Sequence, residues 1–280
     1  MKPDFYDFRL SPSSPFHLMH LHSGPFSQPR PPDIHEAVHL GLLLKGDMSG
    51  VRAPGCYLTG SWEPHGSSGS AAGYELLLVT VDPKELGKAF LDAREKFDLL
   101  LNLPPAVRAS RLKAPAIRRA LPAFARELLE SMDRKEEFHG LRQWLTIQKL
   151  FLHILDHLKL DGIQPVRQSP SRLLPAVRLV AEEPDKRHTV AEGAAACGLG
   201  SSRFAVLFRE FFGLSFGAYE LNYRLNGAAE ECERGNKLRK DIVKDWGFYD
   251  ESHLRKAFRH HFTQSLPKKE ILPLPRRRTS

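Results

Sequence analysis

Cysteine is scarce in this chain of 280 residues: there are three, Cys56, Cys197 and Cys232, far apart and with no CxxC pair. That excludes a disulfide framework and a thiolate zinc site, and it fits a reducing compartment. Long apolar runs are also missing. No stretch approaches the roughly 18 residues that a membrane span needs. The segment MKPDFYDFRL carries acids and lacks the apolar core of a secretory signal. A cytoplasmic protein without a membrane partner is therefore expected. Apolar residues are not in short supply: 41% of the chain is hydrophobic and 26% charged, which rules out wholesale disorder. The length suits two domains of about 150 residues each.

What the chain has in excess is positive charge. Lys and Arg number 41 against 33 Asp and Glu, a net charge of +8. Residues 1–170 hold 21 basic and 19 acidic side chains, whereas residues 171–280 hold 20 and 14. The shorter C-terminal part thus carries most of the excess, as a polyanion-facing module would. A solvated basic surface would give the same count, so pattern has to decide.

Residues 1–35, rich in Pro, Ser and His, read as irregular or short extended pieces. Apolar runs at His39–Lys45, Cys56–Trp62 and Tyr74–Val81, bounded by Gly, Pro and Ser, predict strands. Asp82-Pro83 predicts a helix start, with aspartate as the cap and proline in the first turn. The pattern is then helical to about residue 160, interrupted near Pro104-Pro105 and Pro115. Between Phe138 and Leu160, the spacing of Leu141, Trp144, Leu145, Phe151, Leu155 and Leu158 predicts one apolar helix face, serving either as core or as a dimer seam. Asp161–Ser171 (DGIQPVRQSPS) reads as a linker.

Beyond it the sequence repeats. Ser202, Phe204, Leu207, Phe208, Arg209 and Phe212 fall opposite Ser252, Leu254, Ala257, Phe258, Arg259 and Phe262 at a constant offset of 50. Thr189-Val190-Ala191-Glu192 is a capping box. Alanines 194–196 let another helix approach closely, and Gly198 can take the positive φ of a tight interhelical turn. The next helix, Ser201–Phe212, is expected to bury Phe204, Leu207, Phe208, Phe211 and Phe212, leaving Ser202, Arg203, Ala205, Val206 and Arg209 outside. The second unit places Ile242, Val243 and Trp246 before Gly247, then buries Leu254, Phe258 and Phe262. Its outer face shows His253, Arg255, Lys256, Arg259 and His260, donors suited to phosphate oxygens and guanine edges. Each unit is a helix-turn-helix pattern; one alone is also an ordinary helical hairpin, but a pair in a basic region points to DNA.

Residues 172–267 resemble the DNA-binding domain of AraC/XylS-type transcription regulators. The segments AEGAAACGLGSSRFAVLFREFFGLSFGAYELNYRLNGAA and DIVKDWGFYDESHLRKAFRHHF carry the resemblance. It implies two helix-turn-helix subdomains in one protomer, joined by a helix from Phe216 to about Glu233. Their reading helices, Ser201–Phe212 and Glu251–Phe262, would enter successive major grooves about 34 Å apart. By position, the DNA-contacting residues would be Ser201, Ser202, Arg203, Val206 and Arg209 in the first helix. In the second they would be Glu251, Ser252, His253, Arg255, Lys256 and Arg259. The sequence departs from the family at Ala205 and Val206, where base-reading polar side chains are common, so specificity should lean on the second helix. Val243 replaces a small alanine and implies slightly wider helix spacing, and Thr263 and Leu266 replace a glycine and a proline after the second unit. Residues 268–280 form a basic tail able to touch phosphates.

For residues 1–160 the resemblance implies a cupin-like effector-binding β-barrel with a helical dimerisation region, an α+β chain overall. Gly60-Ser61-Trp62-Glu63-Pro64-His65-Gly66 is similar to the segment before a late strand of such sensors, and Trp62 with His35, His39 and His65 offers a pocket wall. His35-Glu36-Ala37-Val38-His39 spells HExxH, but as an extended segment it would hold its histidines roughly 13 Å apart, too far to share an ion. His20-Leu21-His22 is similar to the cupin HxH, yet residues 23–32 contain no acid to complete that ligand set. No metal, cofactor or catalytic residue is expected. The expectation is a bacterial homodimeric regulator binding double-stranded DNA and an unidentified small molecule, able to contact RNA polymerase. A metal-dependent cupin enzyme fused to a DNA-binding domain, and a constitutive DNA binder with a vestigial barrel, are the alternatives.

Overall fold

The computed structural model describes residues 10–24, 35–48, 50–66, 70, 72–133, 136–159, 170–235 and 237–262. Most of the expected linker, the basic tail, and Thr263 and Leu266 lie outside them. Described residues up to Lys159 belong to one compact unit and those from Pro170 onward to another.

The first unit is built on an antiparallel sheet of five strands: β1 (Phe16–Ser23), β2 (Val38–Met48), β3 (Val51–Arg52), β4 (Gly55–Leu58) and β5 (Tyr74–Val81). The order is β1-β5-β2-β3, with β4 also paired to β2. Among the described strands the pairing is an open path, not the closed ring of a barrel. The runs expected at 39–45 and 74–81 are strands; that expected at 56–62 ends at Leu58, and β1 lies where irregular or short extended pieces were expected.

Both sheet faces are apolar. Leu40 and Leu42 of β2 lie opposite Val79 and Leu77 of β5, and these residues are fully buried beneath the helices. Alternation sends Leu43, Leu76 and Leu78 to the opposite face, against Met19 and Leu21 of β1. Helices α1 (Pro83–Lys88), α2 (Arg94–Asn102), α3 (Pro105–Arg111), α4 (Pro115–Met132) and α5 (His139–His157) follow. Pro83 begins α1 as expected, and Pro105 and Pro115, from the expected interruptions, begin α3 and α4, where a missing N–H costs no intrahelical bond. Asp82 caps α1 by accepting from the backbone of Lys84 at 2.8 Å. Ile117, Leu121 and Leu128 of α4, with Ile147, Leu150 and Ile154 of α5, close the core.

The face of α5 differs from expectation. Gln143, Thr146, Ile147, Leu150, Phe151, Ile154 and Leu155 point inward. Leu141 and Leu145 are exposed instead, at 56% and 45%. The helix offers two apolar stripes, and the spacing of leucines alone merges them.

The second unit is helical: α6 (Leu174–Glu182), α7 (Val190–Ala196), α8 (Ser201–Phe212), α9 (Phe216–Arg234), α10 (Arg239–Asp245) and α11 (Glu251–Phe262). Aromatic rings fill its first half: Phe208 packs edge-on against Phe216 and Tyr219 at 5.2 and 5.3 Å between centroids. In the second half Trp246, fully buried, lies on Gly227 of α9. A Cβ added at Gly227 would sit 1.8 Å from its ring.

Candidate nucleic-acid interface and sensor site

The first reading element begins with the expected capping box. Thr189 Oγ1 accepts from the Glu192 N–H at 3.2 Å, and the Thr189 N–H donates to Glu192 Oε2 at 2.7 Å. Cys197 closes α7, and Gly198, at φ +62°, turns the chain into α8. Close packing of α7 rests on a glycine as much as on its alanines: a Cβ at Gly193 would be 2.9 Å from Phe204 and 3.0 Å from Phe216. Phe204, Phe208, Phe211 and Phe212 are buried, whereas Leu207 is only half-buried because it lies at the edge of the stripe. Ser201, Ser202, Arg203, Ala205, Val206 and Arg209 are exposed along one face, with Val206 at 68%.

The second element repeats this plan. Ile242, Val243 and Trp246 are buried before Gly247, whose φ is +63°. In α11 Leu254 and Phe258 face inward, and Ser252, His253, Arg255, Lys256, Arg259 and His260 are exposed; the Phe262 side chain lies outside the described residues. Three expected DNA-facing residues, Glu251, Arg255 and His253, already have partners. Glu251 Oε1 accepts from Arg255 Nη2 at 2.6 Å and lies 3.4 Å from Arg239 Nη1, so it sets the direction of Arg255. His253 Nδ1 accepts from the Tyr249 N–H at 3.2 Å, which leaves the proton on Nε2 as an outward donor. Asp250 supplies the helix cap, its Oδ1 accepting from the His253 N–H at 2.6 Å. Tyr249, 90% exposed at the mouth of this helix, is a candidate DNA-facing side chain that sequence pattern alone does not single out.

Arg224 of α9, equally inconspicuous in sequence, fixes the second turn. It donates from Nε to the Trp246 carbonyl at 2.8 Å, from Nη2 to the Gly247 carbonyl, and from Nη1 to Glu220 at 3.0 Å. Its guanidinium lies 4.7 Å from the centre of the Phe248 ring. A lone arginine in a helical pattern reads as a surface charge, so only the packing reveals it.

In the other unit, the geometry overturns the separation expected of the HExxH histidines. The ring centroids of His35 and His39 are 4.6 Å apart, and His65 lies 4.7 and 4.9 Å from them. The reason is local: residues 36–37 form a bend before β2 starts, so the segment is not extended. The Trp62 N–H donates to the His35 carbonyl at 2.7 Å, drawing in the loop that carries His65. Burial, with smaller repulsion from His65, pushes the His39 pKa down to about 3 and holds His35 lower still; both are neutral imidazoles at physiological pH. Glu36 turns away to Lys84, 2.9 Å distant. Glu63 is bound by Arg108, a buried α3 side chain that also donates to the carbonyls of Leu58, Leu101 and Leu103.

The three predicted pocket histidines therefore gather, with Trp62 tied to them by its backbone N–H, but none of the four lines either of two hollows in this unit. One, of about 450 Å³, is open and polar, bounded by His22, Lys45, Tyr74 and Glu75. The other, of about 260 Å³, lies between β2 and α4 and is walled by Leu42, Leu44, Pro54, Leu121 and Leu129, with Arg126 and Glu130 among its lining. No sequence signal marks it, because its walls are ordinary leucines.

Residues 170–268 match the model of a helix-turn-helix domain family. No curated protein sequence matches the chain. Among solved structures, ToxT from Vibrio cholerae is similar in fold, with a TM-score of 0.57 and 10% identity over 90% of this chain and 96% of that one. ToxT bound to (E)-4-(8-methylnaphthalen-1-yl)but-3-enoic acid gives 0.58 and 9% over 90% and 96%. Unsaturated fatty acid-bound ToxT from strain SCE256 gives 0.55 and 11% over 90% and 93%.

Proposed function

We infer that this chain, whose residues 170–268 belong to the AraC-type helix-turn-helix family, is a DNA-binding transcription regulator that responds to a small-molecule effector. One observation carries the DNA-binding half. Two duplicated helix pairs each bury an apolar stripe and present the opposite, polar face of their second helix to solvent. On α8 that face offers Ser201, Ser202, Arg203, Val206 and Arg209. On α11 it offers Ser252, His253, Arg255, Lys256 and Arg259, with Glu251 as the holder of Arg255. The basic excess of this part of the chain supplies the sequence-independent attraction to phosphates.

The effector half is supported by the apolar hollow between β2 and α4. The ligands of the two liganded ToxT structures are acids with large apolar bodies. Leucine walls with Arg126 among the lining suit a molecule of that kind. The dimer expected from the sequence is supported by a stripe that only partly coincides with the expected one. Phe138, Leu141, Leu145 and Leu152 are 63%, 56%, 45% and 46% exposed and follow a heptad-like spacing on and just before α5. An effector then acts only through unequal affinity for two arrangements of the dimer, and the output is altered access of RNA polymerase.

Mapping bound sites across a genome, followed by footprinting of one of them, tests this reading. Two protected major-groove patches about one helical turn apart are expected for each protomer. One patch, or protection without sequence preference, overturns it.

A further inference from the structure

We propose that His35, His39 and His65 form a binding site for a divalent late transition-metal ion of the zinc, cobalt or nickel class. Ligand nitrogens of the three lie within 4.8 Å of one another, and His35 and His39 are buried. A zinc ion held at 2.0–2.1 Å by three tetrahedrally placed nitrogens needs them about 3.4 Å apart.

The protonation state suits a metal. His65 Nδ1 is 2.8 Å from the Glu63 carbonyl oxygen, which can only accept, so Nδ1 carries the proton. Its Nε2 is then a bare lone pair, buried and without a hydrogen-bond partner, on a ring packed against the other two. A backbone carbonyl that fixes the tautomer of a ligating imidazole is the usual outer partner of a histidine metal site. An all-imidazole donor set favours late transition metals over magnesium and calcium, which take oxygen ligands.

The surroundings argue for a staple and not a hydrolase. Three protein ligands leave a coordination position for water, but the two nearby acids in sequence are engaged elsewhere, Glu36 with Lys84 and Glu63 with Arg108. Neither is free to take a proton from that water. An ion here would tie the Gly60–Gly66 loop to the start of β2. Through Glu63 and Arg108 the loop is already tied to the backbone between α2 and α3.

The test is titration of full-length, chelator-treated protein with Co²⁺, followed by its visible d–d absorption, and with Zn²⁺ in competition. One ion per chain is expected, with affinity lowered at least about 100-fold in His65→Ala; that residue lies on a loop, so folding should survive, as circular dichroism would verify. His20→Ala, which removes an exposed histidine of the separate His20–His22–Glu75 cluster, should bind like the unaltered chain. Absence of d–d bands, or equal binding by His65→Ala, overturns the proposal. The readout involves no DNA, so its failure is separate from failure of the regulator reading.

Discussion

Single residues carry the fold's least replaceable contacts, and they are the ones the sequence hides best. Gly227 is unremarkable in a helical pattern, yet the Trp246 ring occupies the space where its Cβ would be. Gly227→Ala should therefore destabilise the second unit by about 1–3 kcal/mol through overpacking; urea unfolding measures it, and a destabilisation below about 0.5 kcal/mol would mean the indole moves aside freely. Arg108 is the corresponding case in the first unit. It is 1% exposed and is held by Glu63 and three carbonyls. Arg108→Met should cost about 3–5 kcal/mol because it strands the half-buried Glu63 carboxylate, and adding Glu63→Gln should recover part of that stability. Additive effects in the double variant would show that the two side chains do not act as a pair. Neither glycine nor arginine announces such a role in sequence, because its partner lies tens of residues away.

Elements are far more legible, wherever the local code and the final packing agree. The capping box at Thr189, the positive φ at Gly198 and Gly247, and the inward phenylalanines of α8 are all readable from spacing. The strand β1 is legible only as a short extended piece, because His17, His20 and His22 break the apolar run that Leu18, Met19 and Leu21 would otherwise make. The HExxH segment misleads for a related reason: its residues read as extended up to the strand, and a two-residue bend intervenes. On the two reading helices the sequence and structure together rank α11 above α8. Arg255 is pre-aimed by Glu251, whereas the middle of α8 exposes Ala205 and Val206. Replacing Arg255 and Lys256 by alanine should weaken specific DNA binding by about 1–3 kcal/mol for each good base pairing removed. Arg203→Ala should lower affinity more evenly across sequences and reduce the salt dependence by about one counterion. Binding isotherms on matched and scrambled sites at several salt concentrations separate the two, and a larger drop in specificity for Arg203→Ala would reverse the ranking.

At the scale of the whole molecule, the exposed apolar stripe of α5 is the seam of the dimer proposed above. A single buried apolar face would have satisfied the core, and Ile147, Leu150, Phe151 and Ile154 already do so. Leu141 and Leu145 contribute little to that core, so Leu141→Glu with Leu145→Glu should change unfolding free energy by no more than about 0.5 kcal/mol per site. The same substitutions would bury charge in a self-complementary seam, which an isologous dimer cannot accommodate without a partner cation. On the proposed reading the unaltered chain sediments as a dimer, and the variant is expected to sediment as a monomer at the same concentration. It should still bind an isolated site, since both reading helices belong to one chain, but it should lose the avidity gained on paired sites. It should also lose any effect of an apolar acid on DNA affinity, because in the proposed mechanism such a ligand acts by distinguishing two arrangements of the dimer. Sedimentation with and without DNA, and binding to single and paired sites, are the measurements. A variant that remains dimeric would place the seam elsewhere; one that is monomeric yet responds fully to the ligand would locate the coupling within a single chain.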